Sequence, residues 1–182
     1  LVFGAEPGSG TTLGPVVRRA SGKIVVCCTP RAAGVFRELG VEPDHCCDPA
    51  DQLEATGVVL QMLERYRPDV VVSTLLGPAD SSLDRTAVHC CSERGVRHVA
   101  VLDSWSHILS RFDRPSEGGF LLPTAIAVPD SLTKEQLCAA SIPEQRIVVT
   151  GHPFFDEITP RSGQLRNRPR RICFLLQPLR SL

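Results

Sequence analysis

Short, continuously apolar runs alternate along this chain with segments whose apolar residues recur at helical spacing, and few folds accept that pattern. Residues 1–5 form an apolar opening, followed by a Gly-rich turn and a helix expected near residues 13–20. Residues 23–28 are apolar after Lys23, and Pro30 opens a helix that stops at Leu39-Gly40, glycine being the usual residue just past a helix end. A short strand is expected at 44–47. Residues 51–66 place Leu53, Val58, Val59, Met62 and Leu63 on a helical period. After Pro68-Asp69 come an apolar run at 70–76, a helix over 82–94 ending at Gly95, and a strand at 96–102. A strand at 125–128 precedes a helix that Asp130 or Ser131 caps, and residues 147–150 form the last strand. Continuous apolar strands alternating with amphipathic helices mean a parallel sheet covered on both faces. The right-handed crossover rule makes that sheet an α/β, doubly wound, mostly parallel, Rossmann-like domain.

With 182 residues, of which 42% are hydrophobic, the chain can bury a sizeable core. Its 20 basic and 20 acidic side chains cancel, so no global field draws it to nucleic acid or an anionic membrane. No run approaches the ~20 apolar residues of a spanning helix. The opening Leu1-Val2-Phe3 carries neither an initiator Met nor a signal-peptide n-region, and the expected location is cytoplasmic. Near the other end, residues 172–177 form a fresh apolar run that stops five residues before Leu182. The reading is a domain over residues 1–158, a polar linker over 159–171, and at 172–182 the first strand of a truncated second domain.

Six of the eight cysteines stand in tandem pairs, Cys27-Cys28, Cys46-Cys47 and Cys90-Cys91. No C-x-x-C occurs, which removes support for a zinc ribbon or a thioredoxin-type site. Neighbours face opposite sides of a strand, or sit about 100° apart on a helix, so a tandem pair rarely ligates one ion. Reduced, half-buried cysteines acting as small hydrophobes are the expectation, over a metal site or disulfides, with no metal and no cofactor.

Ligands of an open α/β sheet bind beyond the carboxyl ends of its strands, and four loops there hold unusual residues. In Gly4-Ala-Glu-Pro-Gly-Ser-Gly-Thr-Thr-Leu-Gly14, glycines between strand and helix let backbone N–H groups at Gly8, Ser9, Gly10 and Thr11 approach an anion. The alternative is a tight turn without a ligand. The loop lacks the Lys of a phosphate-binding P-loop, its third glycine is misplaced for a dinucleotide fingerprint, and strand two ends without a ribose-binding acid. In the second loop Gly77, Asp80 and Ser81 crowd a helix start, as caps or as a seat for a phosphate or hydroxyl. The third, Leu102-Asp-Ser-Trp-Ser-His-Ile-Leu-Ser-Arg-Phe112, contains the only Trp. If residues 105–112 are helical, Asp103, His107 and Arg111 stack on one side as an acid, a titratable base and an oxyanion partner. The competing reading is a structural Asp–Arg pair around a packed Trp. In the fourth, Gly151 and Pro153 fix a turn, Asp156 is expected to cap a following helix, and His152 is undecided.

Pro143-Glu-Gln-Arg-Ile-Val-Val-Thr-Gly-His-Pro-Phe-Phe-Asp156 resembles the interdomain segment of the GT-B glycosyltransferase superfamily, which includes UDP-N-acetylglucosamine 2-epimerases and CDP-glycerol glycerophosphotransferase-like proteins. Ile172-Cys-Phe-Leu-Leu-Gln-Pro178 resembles the first strand of their C-terminal domain. The resemblance implies the N-terminal, acceptor-side half of a GT-B architecture. It implies a bacterial transferase that moves a sugar or polyol-phosphate from a nucleotide-activated donor in surface polysaccharide synthesis. Its partners would be the donor, a sugar or polyol acceptor and a C-terminal domain, with a homodimer left open. Asp103 or His107 would serve as base, with Gly8, Ser9, Gly10, Thr11, Gly77, Asp80, Ser81, Arg111 and His152 binding substrate. The chain departs from the epimerases in three places. It reads Ser73-Thr-Leu-Leu-Gly77 where they carry an acid, has Asp103 where they carry a Glu, and lacks their Pro-Glu-Glu-x-Asn-Arg element. A nucleotide-sugar epimerase or hydrolase, and a non-catalytic sugar-nucleotide-binding module, are the alternatives.

Overall fold

The computed structural model describes residues 1–75, 83–105, 107–112 and 120–158. The segments expected as linker and as opening strand of a second domain, 159–171 and 172–182, lie outside the described residues. Seven parallel strands form one sheet: β1 (Val2–Gly4), β2 (Val26–Cys28), β3 (His45–Cys46), β4 (Val70–Ser73), β5 (Arg97–Val101), β6 (Ala125–Val128) and β7 (Ile147–Val149). Their spatial order is β3-β2-β1-β4-β5-β6-β7. The chain winds outward in one direction through β2 and β3, then returns across β1 to β4 and winds outward the other way. The reversal between β1 and β4 is the switch point at which doubly wound sheets open a crevice.

The helices are α1 (Pro7–Arg19), α2 (Pro30–Glu38), α3 (Gln52–Tyr66), α4 (Leu83–Arg94) and α5 (Ser131–Ala139). α2, α3 and α4 sit within two residues of the segments expected from periodicity, and α5 starts where expected and runs three residues beyond the expected 131–136. Thr29, Asp51 and Asp130 cap α2, α3 and α5 by accepting from backbone N–H groups in the first turn. Gly40 and Gly95 take positive φ where α2 and α4 end, the left-handed stop that glycine adopts without strain.

The first helix is the correction. It begins at Pro7, six residues before the expected start, so Gly8, Ser9, Gly10 and Thr11 belong to its first turns and not to a loop. Pro7 suits the first helical position because that N–H has no helical partner. Gly10 is there because α2 lies too close for a side chain: an added Cβ would sit 2.8 Å from Val35 Cβ and 3.1 Å from the Ala32 carbonyl oxygen.

The strand faces separate cleanly. Phe3, Cys27 and Val71 pack with α3 and α4, whereas Val2, Val26 and Cys28 pack with α1 and α2. The tandem pair Cys27-Cys28 thus points to opposite faces, as strand alternation requires. The β5–β7 half packs Ala100, Ile126, Val128 and Ile147 against α5 and the turn at 107–112.

Candidate functional site

At the switch point, the start of α1 and the end of β4 are joined by buried side chains. Ser9 Oγ and Thr74 Oγ1 are 2.8 Å apart, and Thr74 donates to Asp84 Oδ2 at 2.8 Å. Ser9, Thr74 and Asp84 are essentially inaccessible to solvent. A carboxylate with hydroxyl donors is a tolerable buried charge, and leaving it without them is costly. Ser9 accepts from the Glu6 backbone N–H at 3.3 Å, so its hydroxyl is committed to the fold. Of the expected anion-binding residues, Ser9 and Gly10 are buried, and Gly8 and Thr11 are half-buried. The sequence reading missed this relay because Asp84 lies 75 residues from Ser9 and no local pattern marks it.

One strand further on, β5 delivers Asp103 to the same carboxyl edge. Arg111 Nη1 donates to Asp103 Oδ1 at 2.8 Å, and its other terminal nitrogen donates to Ser104 Oγ at 3.0 Å. The Arg111 side chain is 6% exposed and that of Asp103 20%. Arg111 therefore grips Asp103 from below, and Asp103 is the member with an edge open to solvent. His107 does not join them. Residues 107–112 form turns and no regular helix, His107 is exposed at φ 53°, and its carbonyl accepts from Ser110 Oγ at 3.0 Å. The expected stack of three is a pair.

Trp105 is not packed. It is 57% exposed, with its indole Nε1 donating to Asp130 Oδ2 at 2.6 Å. Asp130 Oδ1 at the same time caps α5, accepting from the Thr133 backbone N–H and from Thr133 Oγ1, each at 2.8 Å. The bond from the Thr133 backbone, and next that from Trp105, hold the Asp130 carboxyl below the usual carboxylate range. Asp130 was legible in the sequence as a cap. Its second task was not, since Trp105 stands 25 residues away.

After β7, Gly151 turns at φ 81° as expected. His152 Nδ1 accepts from the Phe154 N–H at 3.2 Å, and its ring stacks on Phe155 at 4.9 Å. Among the described residues Asp156 caps no helix. It lies inside the 3-10 turn Pro153–Glu157, which is tied to α1 through Arg18–Glu157 at 2.9 Å and Arg19–Glu157 at 3.1 Å. Gly77, Asp80 and Ser81 lie outside the described residues. A cavity of about 460 Å³ opens at the opposite, amino end of the sheet, among Val17, Lys23, Tyr66 and Val70; that location takes it out of the candidate site. Among the described residues no three His, Cys, Asp or Glu side chains gather as a metal centre, and no helix is long and apolar enough to cross a membrane.

The carboxyl edge thus presents an ion-paired acid, a serine and an exposed indole around the rim of a doubly wound sheet. No family model matches the sequence, and no curated protein matches it. Solved structures do match the fold. A UDP-GlcNAc 2-epimerase from Neisseria meningitidis, determined with UDP-GlcNAc bound, superposes with a TM-score of 0.63 at 18% identity, over 85% of this chain and 46% of that one. The S. aureus MnaA–UDP structure gives 0.66 at 13% identity over 84% and 44%. The glycotransferase of kitacinnamycin gives 0.50 at 17% over 93% and 54%. The chain has the Rossmann-like half of a GT-B architecture. It spans less than half the length of the N. meningitidis and S. aureus chains.

Proposed function

We propose that these residues form the acceptor-side half of a GT-B-like enzyme acting on a nucleotide-activated sugar or polyol-phosphate, and that the reaction is group transfer. The observation that carries this reading is the Asp103–Arg111–Ser104 cluster beside the exposed Trp105 at the carboxyl edge, on a fold shared with proteins whose structures hold UDP-GlcNAc or UDP. A carboxylate with one edge open accepts a hydrogen bond from an acceptor hydroxyl and can take its proton as the new bond forms. Arg111 fixes the angle of that carboxylate and balances its charge. Trp105 offers a flat apolar face with a tethered edge, suited to the C–H face of a sugar ring. Ser104 adds a hydroxyl within reach of the same ligand. Soluble cytoplasmic action, a second domain supplying the nucleotide grip, a bacterial surface-polysaccharide role and homodimer formation belong to this proposal. No resident cofactor is required by it.

Epimerisation is the second reading, favoured by the epimerases among the structural matches. Against it stand Ser73 and Thr74, both buried at the end of β4, where the resemblance calls for an acid. The test is to incubate the whole polypeptide that contains this chain with UDP-GlcNAc and separate the products. Release of UDP with a glycosylated acceptor supports transfer; a nucleotide-sugar of unchanged mass, epimeric at C2, sinks transfer and establishes the second reading. Asp103→Asn should lower turnover at least about tenfold with the far-UV circular dichroism unchanged. Equal turnover in that variant removes Asp103 from the chemistry.

A further inference from the structure

We propose that Cys27 and Cys47 form an oxidation-sensitive dithiol, a modification site in which peroxide-class oxidants join the two sulfurs as a disulfide between β2 and the β3–α3 connection. Cys27 lies on β2 opposite His45 of β3, and Cys47 follows two positions on, over the same sheet face. Their sulfurs are 3.6 Å apart. The Cys47 N–H donates to the Cys28 carbonyl at 2.9 Å, holding the two segments together. Access is unequal: Cys27 is fully buried and Cys47 is half-buried. An oxidant in solution therefore meets Cys47 first, and the sulfur nearest to the product is Cys27.

The two thiols are also chemically unequal. The hydrogen bond between the two sulfurs holds the Cys47 thiol below its ordinary value and, with burial, pushes that of Cys27 up. Burial acts against ionisation at both, and Asp48 opposes it at Cys47. The thiolate is the reactive form, so Cys47 attacks. Its sulfur displaces hydroxide from hydrogen peroxide, giving Cys47 sulfenic acid, with the peroxide reduced. The Cys27 thiol then attacks that sulfur. One S–S bond forms, the S–O bond breaks, and the hydroxyl leaves as water with the Cys27 proton. The sulfurs must close from 3.6 Å to the ~2.05 Å of a disulfide. β3 is a two-residue edge strand, and Cys46, Cys47 and Asp48 are not fully buried, so this side of the sheet is the one able to move.

The tandem neighbours bear on assignment. Cys28 points to the opposite face, and Cys46 is exposed. The experiment is to treat the chain with hydrogen peroxide, block remaining thiols with N-ethylmaleimide, digest with trypsin and analyse by mass spectrometry without reductant. Cys27 and Cys28 fall in the peptide spanning 24–31, and Cys46 and Cys47 in that spanning 38–65. The expected product joins the two peptides through one S–S bond with one N-ethylmaleimide on each of Cys28 and Cys46, and its mass is the sum of the two singly alkylated peptides less two hydrogens. The same joined product should form in the double variant Cys28→Ser with Cys46→Ser and vanish in Cys47→Ser. Reduction with dithiothreitol should restore both peptides, and the oxidised chain should melt at a higher temperature than the reduced one. Alkylation of both Cys27 and Cys47 after oxidation, in wild type or in the double variant, overturns the proposal, as does a bridge that needs Cys28 or Cys46.

Discussion

His98 shows at the scale of one residue how burial sets a charge state. It sits on β5 with 1% of its surface exposed, its Nε2 3.1 Å from Ser73 Oγ, and no hydrogen-bond partner for Nδ1 among the described residues. Burial pushes its pKa down to about 3, so it is neutral in the folded protein. The unfolded chain binds a proton near pH 6.5 and the folded chain does not. Stability is therefore whole above about pH 6.5, is lost as pH falls toward 3, and is not lost further below that by this group. His98→Gln keeps a partner for Ser73 and removes the titration. The urea midpoint of the variant should fall less between about pH 7 and pH 4 than that of wild type; parallel curves would show that His98 does not drive the acid loss. Thr74→Val is a second test of the same kind. It takes a donor from the buried Asp84 carboxylate and should cost about 1–3 kcal/mol in chemical unfolding, whereas Thr74→Ser should cost less.

Among elements, α1 is where sequence and structure part. Gly8, Gly10, Gly14 and Pro15 all disfavour a helix interior, and on local propensity the segment reads as a turn. The helix forms because its neighbour requires small residues: α1 lies so close to α2 that Gly10 and Gly14 replace side chains. Local propensity loses here to tertiary packing. The two glycines should not respond alike. A Cβ at Gly10 meets the branched Cβ of Val35 and the backbone oxygen of Ala32, whereas at Gly14 it meets the end of the Leu39 side chain at 2.8 Å and its Cβ at 3.3 Å. Leu39 can change rotamer, but the α2 backbone cannot move without disturbing β2. Gly10→Ala should therefore destabilise by about 1–3 kcal/mol, and Gly14→Ala by clearly less. Equal losses in thermal unfolding would contradict the close approach described here. The other helices were legible because each has a clear end signal: Pro30 and Gly40 for α2, Pro68 beyond α3, Gly95 for α4 and the Asp130 cap for α5.

For the molecule as a whole, the alternation of apolar strands with amphipathic helices was enough to reach a parallel, doubly wound sheet, because the pattern and the handedness rule leave few topologies. The working edge was legible only in part. Asp103 and Arg111 stand eight residues apart, a separation that local spacing can suggest. The Ser9–Thr74–Asp84 relay and the Trp105–Asp130 bond join residues that only the finished sheet brings together. That edge has an experimental advantage: Trp105 is the sole Trp and is exposed at the rim, so intrinsic fluorescence reports from the proposed site without a label. The matched part of this chain corresponds to 46% and 44% of the N. meningitidis and S. aureus chains, and on the proposed reading a second domain supplies the nucleotide grip. Residues 1–182 alone should bind UDP no more tightly than about 1 mM, near −4 kcal/mol, with Trp105 emission almost unchanged on titration. On that reading, a polypeptide carrying both domains should show saturable quenching with UDP plus acceptor sugar, reduced in Asp130→Ala, where the indole loses its anchor. Tight, Trp105-reported binding of UDP by the isolated 182 residues would mean that this domain grips the nucleotide itself, and the acceptor-side assignment would have to be given up.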